Sequence, residues 1–482
     1  MEPRVTQRVN QSTLAGAHPA AGAPSVYARL DWIRSAAEKK PNEKMHALMH
    51  HFNRTNLAQA FCSLRASAAS GIDQVSKHQY QQDLEGKLRA LEQRLRQGNW
   101  VAKPAREVLI PKPQGGTRPL AIGCIEDKTV QTLAARILEA IYEPIFHRHS
   151  YGFRRKKSAH QALGRLYSVI NARREHAIVV EMDIEKFFNS MSQSWLLSQM
   201  AERISDERFL KLIARMLKQS VMHADGQLAE TTRGTPQGSP VSPVLANICL
   251  HYLLDDWFQK NWAGKAEFVR YADDAVFVFT NEQDAKDFHQ ALQTRMAEAL
   301  LALNLDKSGL VPFSAKNPKG YVSFLGFELY WGKHRNTKTL KVKTQPKKLH
   351  RGLDAFNEWI KRERNRLPTK KLLQAAAAKI RGHFSYFGVM WNEAKLNHFI
   401  YNAKAALYRW MNRRSQKHDM SWAKFVRKLE HSSFPSPPTG KQLRDICSEF
   451  GSDRNHQLKS RMRKLRTSGS VRSAGNRTPA FT

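Results

Sequence analysis

The chain has 482 residues, room for roughly two to four domains and a sizeable core, and its 78 Lys and Arg against 42 Asp and Glu give a formal charge of +36. That excess sets it apart from a free-standing metabolic enzyme and points to a polyanionic partner, RNA or DNA ahead of an anionic membrane. No apolar run reaches the length of about 18 residues that a transmembrane helix needs, and the scattered Cys62, Cys124, Cys249 and Cys447 form no Cys-x-x-Cys pair, so neither membrane partner nor zinc site is expected in what reads as a reduced, cytoplasmic chain.

The opening residues, MEPRVTQRVNQST, lack a basic segment followed by an apolar one, so no secretory signal is expected, and residues 1–24 read as disordered. A helix is expected over 43–69, with Met45, Leu48, Met49, Phe52, Leu57, Phe61 and Leu64 on one stripe, until Gly71, Ile72 and Asp73 break it. A second amphipathic helix over 80–97 carries Leu84, Leu88, Leu91 and Leu95. Residues 108–122 alternate as a hairpin around Gln114, Gly115, Gly116 and Thr117, flanked by Lys112 and Arg118, for which plain solvation is the alternative reading. A helix over 129–146 turns Val130, Leu133, Ala134, Ile137, Leu138 and Ile141 to a core. Tyr151 and Phe153 then precede four consecutive cations, Arg154 to Lys157, a mixture that suits a nucleic-acid backbone with a base or sugar on an aromatic ring; a solvated charge run is the alternative.

Ile178, Val179 and Val180 lead through Glu181 and Met182 to Asp183, a short β-branched strand ending in a carboxylate. Pro236, Gln237 and Gly238 lie in a loop before a helical run over 245–254. Residues 267–280 alternate as two strands joined by a turn of Ala272, Asp273 and Asp274. The strands are apolar on both faces and so covered on both, which puts two carboxylates where unpaired charge is expensive. Charges ~4 Å apart repel by roughly 4 kcal/mol at an effective dielectric of 20, and a divalent cation reverses that sign. Hard oxygen donors without thiolate or imidazole favour Mg²⁺. One carboxylate from a strand end and two from a hairpin suit two Mg²⁺ ions about 3.5–4 Å apart, the clamp for in-line displacement at phosphorus.

Residues 284–303 read as a helix with Phe288, Leu292, Met296 and Leu300 on one face, followed by Asp306 and Lys307. Phe324 to Phe327, with Tyr330 and Trp331, reads as a short apolar hairpin. From Gln345 the chain turns helical and basic: Leu349, Leu353, Phe356 and Ile360 form one stripe, and Leu396, Ile400, Ala403, Leu407 and Trp410 another, with Lys395, Asn402 and Arg409 seven apart on a different face. A Pro-rich break at 434–438 precedes a tail, 451–482, expected to be a disordered polycationic arm with salt-sensitive affinity for nucleic acid.

YADD at 271–274, DIEKFF at 183–188, GTPQGSPVSPVLANICL at 234–250 and FLGF at 324–327 stand in the order seen in reverse transcriptases. Upstream, IPKPQGGTRPLAI at 110–122, EDKTVQ at 126–131 and SYGFRRKKSAHQAL at 150–163 resemble the fingers of the bacterial group II intron reverse transcriptase/maturase family, and RGHFSYFG at 381–388 and LYRWMNRRSQKHDMSW at 407–422 resemble its thumb and maturase helices. The resemblance implies an α+β right-hand polymerase: an N-terminal extension and fingers over 43–175, a palm with an antiparallel sheet and some finger elements over 176–335, and a helical thumb and maturase domain over 340–438.

It also implies roles. Asp183, Ile184, Asp273 and Asp274 would hold two Mg²⁺, with Lys307 a general acid near the leaving pyrophosphate, although a salt bridge to Asp306 or plain solvation accounts equally for Lys307. Lys112, Arg118, Phe188 and Gln237 would hold the incoming deoxynucleotide, Arg118 through its preorganised fork and Phe188 by clashing with a 2′-hydroxyl. Tyr271, Gly238, Phe324, Gly326 and Arg154 would face primer and template, and Arg381, Lys395, Arg409, Arg413 and Arg414 the intron RNA. Two departures stand out: Arg155 and Lys156 replace the Pro and Gly of many relatives, and Asn189 replaces an Asp. The paired cysteines of the nuclease module in many relatives are missing, so no DNA endonuclease is expected and the primer would come from elsewhere. The implied activity is RNA-directed DNA synthesis from dNTPs onto a DNA primer or target, with intron RNA bound for splicing and retrohoming. A splicing maturase with little polymerase activity and a domesticated reverse transcriptase in host defence share these motifs.

Overall fold

A computed structural model describes residues 26–40, 43–111, 116–304, 308–414, 420–430 and 434–438; the expected disordered N-terminus, Lys112, Lys307 and the polycationic tail lie outside them. Two compact units are each built from separated stretches. The first takes the chain up to Arg155, Asp183–Ala263 and Gln290–Asn304, and the second takes Lys156–Met182, Gly264–His289 and the chain from Leu305.

In the first stretch α1 (Val26–Lys39) is followed by a single 3₁₀ turn at Met49–His51 and then α2 (Arg54–Ser63). The helix expected over 43–69 is therefore shorter than its apolar stripe. The backbone N–H groups of Leu48 and Met49 donate to the Asp206 carboxylate at 2.6 and 3.1 Å, and Met45 donates to the Arg203 carbonyl at 2.8 Å, partners that replace a helical ladder. Asn53 starts α2 by accepting from the Asn56 N–H at 3.1 Å. The expected 80–97 helix is two pieces, α3 (Lys77–Gln81) and α4 (Leu84–Gln97), divided where Asp83 caps the second; Leu88, Leu91 and Leu95 are buried as the pattern requires.

The hairpin forms as β1 (Ala105–Pro111) and β2 (Thr117–Ile122), with Ile110 opposite Arg118. α5 (Ile125–Tyr142) starts and ends four residues before the expected span: Glu126 and Asp127 favour its positive end, and Pro144 follows its last turn. The chain then enters the second unit through α6 (Ala159–Ala172), opened by a Ser158/Gln161 capping box, and β3 (Ile178–Met182). Back in the first unit come α7 (Phe187–Ser190), α8 (Gln193–Ala201), α9 (Glu207–Leu217), β4 (Val221–Met222) and β5 (Leu228–Ala229), which complete a sheet of order β2-β1-β4-β5. The helix expected over 245–254 is α10 (Ser242–Leu250), a π-helical turn at His251–Asp255, and α11 (Asp256–Asn261).

β6 (Ala266–Tyr271), β7 (Asp274–Phe279), the start of α12 (Glu282–Glu298) and β8 (Gly309–Pro312) belong to the second unit. Its four-stranded sheet runs β6-β7-β3-β8, antiparallel throughout. Ala275 to Phe279 are all fully buried, as strands covered on both faces require, and Phe277 and Phe279 meet Phe288 with ring centroids 4.5 and 5.2 Å apart. β9 (Val322–Phe324), β10 (Phe327–His334) and β11 (Thr337–Thr344) form a second antiparallel sheet, joined to β3 where the Glu181 carboxylate accepts the Ser323 N–H at 2.6 Å. Last come α13 (Pro346–Glu363), α14 (Thr369–Phe387), α15 (Glu393–Asn412) and α16 (Trp422–Glu430), around a core that includes Leu349, Phe356, Ile360, Leu396, Ile400 and Leu407. The architecture is α+β, and no described helix is long and apolar enough to cross a membrane.

Candidate functional site

The β6–β7 hairpin is tighter than the expected three-residue turn. Tyr271 pairs with Asp274, so only Ala272 and Asp273 connect the strands and Asp274 is the first residue of β7. Ala272 takes a positive φ of 57°, a conformation a non-glycine residue adopts only when its surroundings enforce it. Arg270, fully buried, is part of that enforcement, because its guanidinium donates to the Ala272 carbonyl at 2.9 Å. A charged residue inside the apolar run FVRY was the sequence signal for this role, and composition alone does not reveal it.

The ladder sets the register on the next strand. Met182, the last residue of β3, lies opposite Ala275, so each strand runs on into an aspartate at the same end: Asp183 follows Met182, and Asp274 precedes Ala275. Past the strand, the Asp183 carbonyl accepts the Asn304 N–H at 2.8 Å and the Glu185 N–H donates to Ala302 at 2.9 Å. These bonds flank the Ile184–Leu303 bridge and leave the Ile184 carbonyl directed away from it. Among the described residues no three His, Cys, Asp or Glu side chains are gathered as a ready ligand cluster. The two adjacent hairpin aspartates, Asp273 and Asp274, are hard oxygen donors of the kind that suits a divalent cation of the Mg²⁺ type.

In the first unit Phe188, Gln237 and Gly238 come together. Thr235 donates its N–H to the Phe188 carbonyl at 2.7 Å, and Gly234, at φ 69°, has no room for a Cβ, which would sit 2.3 Å from that same oxygen. The Gln237 amide donates to Asn189 at 3.2 Å, its carbonyl accepts from the Ala121 N–H at 2.7 Å, and a Cβ on Gly238 would meet Ala121 O at 2.8 Å. The close approach that needs glycine is thus to β2. Phe187 is core, and Phe188 is only half-buried. Arg118 is exposed on β2.

Arg154 is placed differently from the expected template contact. Its guanidinium is buried, paired with Glu143 at 2.8 Å, donating to the carbonyls of His147 and Ser150 at 2.6 Å, and packed over the Phe146 ring. It braces the loop that presents Phe153. Phe324 is likewise buried, so its side chain is core, whereas Leu325 and Gly326 form the β9–β10 turn with φ of 52° and 82°. Tyr386 of α14 reaches this turn, donating its hydroxyl to the Leu325 carbonyl at 3.0 Å with its ring stacked on Phe327. Desolvation, with Tyr271 and Asp274 adding to it, pushes the phenol pKa up to about 12. Arg381, Arg409 and Arg413 are exposed on or just beyond α14 and α15, Lys395 is half-buried, and Arg413 lies over the Trp410 ring. Arg414 instead ties the end of α15 to Thr369 and Leu367, each at 3.0 Å.

Comparisons with known proteins bear on this arrangement. Residues 110–329 match the family model for reverse transcriptase (RNA-dependent DNA polymerase). Protein YkfC of Escherichia coli (strain K12) is 29% identical over 332 residues, 62% of this chain and 85% of that protein. An uncharacterised 91 kDa protein in the cob intron of Schizosaccharomyces pombe is 41% identical over 165 residues, 34% of this chain and 20% of that one. The group II intron-encoded protein LtrA of Lactococcus lactis subsp. cremoris is 36% identical over 170 residues, 35% and 28% of the two chains. The chain therefore spans less than a third of these two intron proteins.

Proposed function

The chain belongs to the group II intron-encoded reverse transcriptase/maturase family, and from that premise we propose that it is an RNA-directed DNA polymerase adding deoxynucleotides to a primer 3′-hydroxyl. The observation that carries the reading is the register of the β3–β7 ladder, which runs both strands into aspartates beside a two-residue Ala272–Asp273 turn. In this reading Asp183, Asp273, Asp274 and the Ile184 carbonyl would hold two Mg²⁺ ions, which would supply Lewis acidity for nucleotidyl transfer.

The chain's own groups do the rest. Arg118, with Lys112, orients the triphosphate through charge-assisted hydrogen bonds, and Phe188 closes the space a 2′-hydroxyl would take. Gln237 steadies the nucleotide from the loop tied to β2, with Gly238 letting that loop approach. Tyr271 and the Leu325–Gly326 turn face the primer end, and Lys307 donates the proton to pyrophosphate. The exposed cations of α14 and α15, Arg381, Arg409 and Arg413 with Lys395, bind the intron RNA for splicing and retrohoming.

Primer extension on an RNA template with Mg²⁺ tests this reading. Incorporation by the wild type is expected to fall about 10³-fold or more in Asp273→Asn, since each 1.36 kcal/mol of lost transition-state stabilisation is tenfold. No extension by the wild type, with tight salt-sensitive RNA binding, would replace it by a splicing maturase without polymerase activity.

A further inference from the structure

Tyr386 lies outside the motifs that define a polymerase palm, 61 residues from the turn it touches. Three observations meet at it. Its hydroxyl donates to the Leu325 carbonyl at 3.0 Å, in a two-residue turn whose members both have positive φ. Its ring lies nearly parallel to Phe327, centroids 5.8 Å apart and planes at 18°, at the first residue of β10. Its own backbone is held in turn, because His160 Nε2 lies 2.8 Å from the Tyr386 carbonyl oxygen, which only accepts, so that nitrogen carries the proton. α6, α14 and the β9–β10 turn are thereby joined through one residue.

The residue is not ordinary core. It is 38% exposed, and Tyr271 and Asp274 of the hairpin tip lie close enough to act on its phenol electrostatically. In a turn whose two residues both have positive φ, the Leu325–Gly326 peptide plane is the one that the phenol engages.

We infer that Tyr386 is a positioning residue for the primer terminus: its hydroxyl locks the orientation of the Leu325–Gly326 turn and its exposed ring edge borders the path of the primer strand past Tyr271. The inference rests on the polymerase reading and deepens it, by giving a helix after the palm a direct part in aligning the 3′-hydroxyl. The Phe327 stack and the Leu325 hydrogen bond separate the two contributions. Tyr386→Phe keeps the ring and removes the bond, whereas Tyr386→Leu removes both.

The test is single-nucleotide incorporation on an RNA template with matched and mismatched primer termini, with folding checked by thermal melting. For Tyr386→Phe the expected result is a kcat on the matched primer lowered about tenfold, a nucleotide KM within about twofold of wild type, and a reduced preference for matched over mismatched ends, since an unpinned turn no longer holds one terminus in register. Tyr386→Leu is expected to raise the primer KM as well. A purely structural role would lower the melting temperature and leave the matched-to-mismatched ratio unchanged, and that result overturns the inference. So does a Tyr386→Phe variant equal to wild type in kcat and in that ratio. Failure of the underlying reading looks different: the wild type itself incorporates nothing beyond the Asp273→Asn background, and the inference falls with it.

Discussion

The ring of Phe153 stands edge-on against that of Phe188, centroids 6.4 Å apart and planes at 80°. Phe188 is the proposed gate against a 2′-hydroxyl, and Phe153 is 45% exposed, held there by a backbone φ of 57° and by the loop that Arg154 braces. An edge-to-face partner limits the swing of the gate ring and adds about 0.5–1.5 kcal/mol beyond burial. Phe188→Ala is therefore expected to lower the ratio of kcat/KM for deoxynucleotides over ribonucleotides by about 10²-fold, and Phe153→Ala by several-fold in the same direction. Competing dATP against ATP on one template reads both. A Phe188→Ala enzyme that still rejects ribonucleotides as well as wild type removes the gate from this residue.

The hairpin tip depends on Arg270. Its guanidinium satisfies the Ala272 carbonyl from inside the unit, and Ala272 is itself buried, so water cannot take over that bond. Arg270→Met is expected to cost about 1–3 kcal/mol of stability, the penalty of an unsatisfied buried acceptor. It is also expected to lower incorporation on the order of 10²-fold through displacement of Asp273 and Asp274. Urea unfolding and primer extension on the same preparation measure the two effects, and full activity in a folded Arg270→Met protein would show that the turn holds its shape without this brace.

Legibility in the sequence followed the range of the interactions. β3, β6 and β7 were readable because β-branched and aromatic residues fill short runs that meet an Asp at one end, and the ladder bears out these three, while β8 of the same sheet was not expected. The turn was sized wrongly because a Tyr271–Asp274 pair costs the strand nothing visible in composition: an aspartate at a strand's first position reads as loop. The helix over 43–69 failed for a different reason. Its apolar stripe is mostly buried, but Asp206, more than 150 residues away, takes the backbone N–H groups that a helix would have used. The same holds for Arg154, whose partner Glu143 precedes it by eleven residues on no common periodic element, and for Tyr386. Local pattern reports which side chains turn inward, and long-range hydrogen bonds then decide what backbone carries them.

A buried carboxyl in the first unit gives a prediction independent of catalysis. Asp127, in the first turn of α5, is 1% exposed and accepts the Lys103 backbone N–H at 3.2 Å. Burial first, and repulsion from Glu126 second, raise its pKa from 3.8 to about 7. Below the lower value both folded and unfolded chains carry the proton. Between the two values the unfolded chain has released it while the folded chain retains it, so stability falls as pH rises through this window and levels off above about 7. The full shift corresponds to roughly 4 kcal/mol. Asp127→Asn keeps an oxygen for the Lys103 N–H and removes the titration, so it is expected to be more stable than wild type at pH 8 by up to that amount and nearly equal to it at pH 4. Urea midpoints of both proteins across this range provide the check, and an advantage that is the same at both ends would mean that Asp127 acts through packing and not through its charge.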